Sequence, residues 1–120
     1  LVDNARVLIE EAQYEEAREI LGTALGLEPE NHVARELIKQ LRHAQLTYLY
    51  EQIPPHKTPV LIVDRARLRG MSLSARESYL ASRLNGKWDV GTLVVATPLG
   101  ELDTLRILRK LIHAEIVHLS

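Results

Sequence analysis

The sequence contains no cysteine, which excludes disulfide scaffolds, cysteine-ligated zinc and cysteine nucleophiles. That absence fits a reducing compartment, and a cytoplasmic location is expected. No apolar run approaches the roughly 20 residues needed to cross a bilayer, so no membrane span is expected. No glycine-rich phosphate loop is present: Asn85-Gly86-Lys87-Trp88 lacks both the upstream glycine and the hydroxyl residue of a P-loop, and it reads as a helix-ending turn. The five histidines, His32, His43, His56, His113 and His118, lack the i, i+4 spacing of a helical zinc pair, and no metal site is expected. Aromatic residues are scarce as well, with one tryptophan and four tyrosines. None lies between Arg65 and Arg76, so that basic stretch offers no stacking platform for single-stranded nucleic acid.

What remains has the composition of an ordinary globular protein. Hydrophobic residues make up 46% and charged residues 26%, with a net charge of −1, which argues against both disorder and a fibrous chain. The near-neutral total hides an asymmetry. Residues 1–52 carry 5 basic and 10 acidic side chains, a balance of −5, whereas residues 53–120 carry 10 and 6, a balance of +4. Opposed halves imply mutual docking or two kinds of partner. Leu1 stands where a methionine would start a chain and the first residues read as mid-helix, so the sequence is expected to be part of a longer protein.

Apolar periodicity divides the chain further. Ala5, Leu8, Ile9 and Ala12 recur at spacings of three and four and predict a helix over residues 3–11. Ala17, Ile20, Leu21, Ala24 and Leu25 predict a second over 14–27, ended by Glu28-Pro29-Glu30-Asn31. A long helix follows over 31–51, with Ala34, Leu37, Ile38, Leu41 and Ala44 on one face. Residues 53–59 hold three prolines and predict a linker, with the domain boundary there. Beyond it the β-branched run 60–63 reads as a strand. Ser74 and Glu77 form a capping box for a helix over 74–84, with Tyr79, Leu80 and Leu84 inward. Asp89 caps a short helix over 89–95, Leu102, Leu105, Leu108 and Leu111 mark a helix over 100–112, and 116–119 reads as a strand pairing with 60–63. The expected fold is mainly α: a helical hairpin with a long capping helix over 1–52, the 53–59 linker, and a small three-helix, winged-helix-like domain with one or two short strands over 60–120.

Tyr14-Glu15-Glu16-Ala17 with Leu21, Ala24 and Pro29 resembles the second-helix signature of a tetratricopeptide repeat, and Leu1, Ala5 and Leu8 occupy first-helix positions. Asn4 stands where such a repeat has an apolar residue. The resemblance implies that Ala5, Leu8, Tyr14, Ala17, Leu21, Ala24 and Pro29 pack the repeat, and that the long helix, with Arg35, Lys39 and Arg42 at sites a further repeat would keep apolar, caps the end of an array. Leu73-Ser74, Glu77, Leu80, Ser82 to Gly86, Val90, Leu93 and residues 105–117 resemble the small winged-helix-like modules beside such arrays, or beside receiver domains, in bacterial signalling and motility proteins, and the end of PatA-type domains. That resemblance implies protein contacts and no active site.

Catalytic constellations are lacking. Glu101 and Asp103 fall in a helix first turn, where the helix dipole alone favours acids, and Ser74 is accounted for as a cap. Trp88 and Tyr79 read as core-edge aromatics. On the long helix Leu46, Tyr50 and Ile53 lie off the main apolar stripe, and they are expected to contact the carboxy-terminal domain. The function expected is a non-enzymatic scaffold or adaptor that binds another protein in bacterial signalling or motility, with no cofactor and no small-molecule substrate. The alternative is a DNA-binding regulatory fragment, for which Arg65, Arg67, Arg69, Arg106, Arg109 and Lys110 would supply phosphate and base contacts. Glu101 and Asp103 in the first turn of the would-be recognition helix oppose it.

Overall fold

A computed structural model describes residues 2–120; the repeat position Leu1 lies outside the described residues. The chain is mainly helical, with one two-stranded sheet. It divides into two compact units, Leu1–Tyr48 and Leu49–Ser120.

The first unit holds α1 (Val2–Glu10), α2 (Tyr14–Leu27) and most of α3 (His32–Gln52). Its core is built largely from alanine: Ala5, Ala17, Ala24 and Ala34 are buried with Leu21, Leu37 and Leu41. Small side chains at these spacings let helix axes approach closely, so dense packing is reached with few large residues. Leu8 and Tyr14 pack against this cluster, and the Tyr14 ring lies 5.8 Å from that of Tyr48. Arg35, Lys39 and Arg42 of α3 are exposed. The α1–α2 turn closes with Gln13 N–H donating to the Leu8 carbonyl and Ala12 N–H to Ile9. This is a Schellman motif that sets Ala12 at φ +60°. Asn31 caps α3, its side-chain oxygen accepting from Ala34 N–H at 3.0 Å.

The second unit begins with the last turn of α3 and continues through β1 (Pro59–Leu61), α4 (Arg65–Arg69), α5 (Ala75–Ser82), α6 (Val90–Ala96), α7 (Glu101–His113) and β2 (Val117–Leu119). β1 and β2 pair antiparallel, Val60 opposite His118. Thr58 and Ser120 exchange both backbone bonds, so residues 58, 60 and 62 turn their polar groups toward β2 while 59 and 61 turn theirs away. Pro59 is tolerated inside a strand for that reason: the ladder asks no N–H of it.

Residues 53–59 read as a linker, yet in the structure they belong to this unit. Ile53 and Pro59 are buried. The carbonyls of Pro55 and Lys57 accept from Gly91 N–H at 3.0 Å and Val90 N–H at 2.8 Å. With Asp89 Oδ1 accepting from Thr92 N–H at 2.8 Å, the first-turn donors of α6 are all satisfied. The fold also has a short helix, α4, in addition to the three expected; its five residues include only two apolar side chains, and it starts where Asp64 Oδ1 accepts from Arg67 N–H at 2.6 Å.

Candidate interaction surface

α7 is the helix a DNA-binding module of this element order would use to read bases. Its residues are largely enclosed: Leu102, Thr104, Leu105, Leu108 and Leu111 are buried, and only Lys110 and His113 are openly exposed. Its polar residues are also engaged within the unit. Lys110 Nζ lies 2.6 Å from Glu77 Oε2 of α5. Arg109 Nε donates to Gln52 Oε1 at 2.9 Å, and Arg106 lies 3.5 Å from Asp103. Asp103 also accepts from Arg76 at 3.1 Å, and Tyr50 O–H donates to Glu101 Oε2 at 2.6 Å. Of the six basic residues expected on the DNA-binding reading, Lys110 and Arg109 thus tie α7 to its neighbours, and Arg106 pairs with Asp103 within the helix.

Two of these groups titrate away from their ordinary values. Hydrogen bonds from Lys110 and from Ser74 N–H hold the Glu77 carboxyl below the usual carboxylate range, against the effect of burial. Burial, and then the Glu101 carboxylate it donates to, push the Tyr50 phenol up to about 12. Glu77 also completes the capping box, accepting from Ser74 N–H at 2.9 Å while the Ser74 hydroxyl accepts from Glu77 N–H at 3.1 Å. One carboxylate therefore starts α5 and ties it to α7. On the outer side of α5 the Arg83 guanidinium lies 5.3 Å from the Tyr79 ring centre.

The other three arginines differ. Arg65, Arg67 and Arg69 stand on α4, all exposed, with no ion pair to a described residue. Asp64, the nearest acid in sequence, directs its carboxylate at backbone N–H rather than at a guanidinium. Three residues before Arg65, Ile62 is 56% exposed. These exposed residues had only a partial signal in the sequence, the arginine run itself; Ile62 read as part of a strand.

A shallow apolar groove of about 610 Å³ runs between Pro55-His56 and α6, with Val95 on its rim. The Thr92 backbone N–H holds the nearby Asp89 carboxyl below its usual range. Among the described residues, no group of three histidine or acidic side chains could hold a metal ion, and no helix is long and apolar enough to cross a membrane.

Of the positions expected to pack a repeat, Ala5, Ala17, Leu21 and Ala24 are buried, Leu8 and Tyr14 half-buried, and Pro29 exposed with its carbonyl accepting from Arg35 Nε at 2.9 Å. Of the residues expected at the domain contact, Leu46 is half-buried in the first unit, while Tyr50 and Ile53 belong to the second. No protein-family model, curated protein or solved structure matches this chain.

Proposed function

We propose that the chain is a non-enzymatic interaction module, a scaffold or adaptor that holds another protein in bacterial signalling or motility. On this reading the first unit is the end of a tetratricopeptide-type array and the second a winged-helix-like module, working in the cytoplasm. The observation that carries the reading is the state of α7. A recognition helix must offer one face to the major groove, with cations free to meet phosphate. Here Lys110, Arg109 and Arg106 are engaged with Glu77, Gln52 and Asp103, and the first turn carries Glu101 and Asp103. A helix spent on internal packing serves as structure, and recognition falls to the exposed surfaces. The alanine-rich core of α1 to α3 supports the array reading, since close helix approach is what the repeat signature encodes.

The test has two arms. Duplex DNA retention is measured as salt is raised, because phosphate contacts weaken steeply with salt. The expected result is no retention at physiological ionic strength, and calorimetry with ATP, GTP and zinc should be flat. Retention that Arg109→Ala abolishes, in a variant that still folds, would overturn the scaffold reading. So would a stoichiometric heat with any of the three ligands.

A further inference from the structure

We propose that α4 and the residues before it form the docking site for an acidic segment of the partner protein. The proposal rests on the scaffold reading and names the chemistry of what is held. Arg65, Arg67 and Arg69 are exposed and unpaired among the described residues, whereas the arginines of α7 are engaged internally. Arg65 and Arg69 are four residues apart and so project from nearly the same side of α4, separated by a rise of about 6 Å. That spacing matches carboxylates two residues apart on an extended peptide, about 6.6 Å. Guanidinium groups bind carboxylates through paired, charge-assisted hydrogen bonds, a geometry a lysine patch would lack.

Apolar surface decides between an acidic peptide and a nucleic acid backbone. Ile62 is 56% exposed, and its Cα lies within about 11 Å of that of Arg65 by chain length alone. An extended peptide with two acidic residues and an apolar one at alternate positions, all on one face, can place the apolar side chain on Ile62 while its carboxylates meet the arginines. A phosphate backbone has nothing to set there. The unit as a whole is only mildly basic, with 10 basic and 7 acidic residues over 49–120, so the unpaired cations of α4 stand out against a balanced background.

The test uses the whole chain and fluorescence anisotropy at physiological ionic strength. The probes are a short labelled peptide with two glutamates and then a leucine at alternate positions and serines between them, its lysine counterpart, and a duplex DNA of similar length. Arg65→Glu with Arg69→Glu is compared with Lys57→Glu with Lys87→Glu, two exposed cations of the same unit, so that both variants change net charge equally. The glutamate peptide is expected to bind the parent, to lose about tenfold or more in affinity with the α4 reversal, and to change by less than about twofold with the control. Ile62→Ser should weaken the peptide and leave any residual DNA binding alone. Equal loss in both reversals would show that binding follows net charge and would overturn the site. No peptide binding, or duplex DNA displacing the peptide, would overturn the choice of partner. A native partner complex that survives the α4 reversal would end this proposal while leaving the scaffold reading intact.

Discussion

Replacing Lys110 with methionine is expected to cost more stability than replacing Glu77 with glutamine, although each change removes the same ion pair. The two ends are unequal: the Lys110 side chain is 70% exposed and that of Glu77 8%. In Glu77→Gln the freed ammonium returns to water, and the amide oxygen can still accept from Ser74 N–H, so the loss should resemble that of an exposed pair, about 0.5 kcal/mol. In Lys110→Met the carboxylate stays enclosed with its strongest partner gone, and such a stranded group costs about 1 to 3 kcal/mol. The double variant should be more stable than Lys110→Met alone, because the glutamine needs no cation. Urea unfolding followed on Trp88, which lies in the second unit, measures all three. For a unit of this size each kcal/mol moves the melting temperature by about 4 to 8 °C. The pH dependence supplies an independent check. The folded Glu77 carboxyl titrates below its ordinary value of 4.5, so its contribution is complete above that value and is lost as pH falls through the lower folded one. Glu77→Gln should therefore flatten the acid limb below about pH 4.5 and leave the neutral plateau with its slope unchanged. If Lys110→Met unfolds like the parent, or Glu77→Gln is the more damaging change, the asymmetry argued from exposure is wrong.

Further outcomes follow from other contacts. Ala17→Leu and Ala24→Leu should each destabilise the first unit by about 1 to 3 kcal/mol through overpacking, and unchanged melting in both would contradict the alanine-lined approach of its helices. The buried hydroxyls of Thr97 and Thr104 lie 3.2 Å apart, so Thr104→Val should strand its partner at about 1 to 3 kcal/mol while the double valine variant recovers much of the loss; a double variant worse than the single would sink this account. Glu115 ends α7 at φ +59°, and Glu115→Gly should raise stability by about 1 kcal/mol; a lower denaturation midpoint would count against the backbone strain inferred there. The Tyr50 phenol, raised from 10.0 to about 12, should ionise last in an alkaline absorbance titration. Its contribution is complete below 10.0 and lost as pH rises toward 12, and four tyrosines titrating together would refute it.

Local signals were legible in the sequence and distant ones were not. The α2 limits, the Ser74-Glu77 capping box and the Asp89 cap depend on residues within a turn of one another, so spacing alone reveals them. The pairing of 60–63 with 116–119 came within a residue or two of β1 and β2, because β-branched runs flanking a helical set have few other strands to join. α4 escaped notice since five residues are too few to show an apolar period, and only Asp64 could have betrayed it as a cap. The engagement of α7 was equally hidden. Tyr50 meets Glu101 across 51 residues and Arg109 meets Gln52 across 57, separations at which no pattern in the chain records a contact. The prolines of 53–59 spoke correctly against a helix but said nothing about the Pro55 and Lys57 carbonyls, which cap α6.

The register of the small sheet also governs how it could grow. On β1 the outward positions are Pro59, which has no donor, and Leu61, so an incoming strand would find a single N–H there. On β2 the outward positions are Val117 and Leu119, each with a donor and an acceptor. Extension by a further strand, or edge-to-edge association of two copies, is therefore disfavoured along β1 by the missing donor and along β2 by the burial of Val117, which is 2% exposed. A proline at a strand edge is a common guard against unwanted pairing. In this protein the proline guards one edge and the burial of Val117 encloses much of the other, so the two-stranded sheet offers little to a third strand.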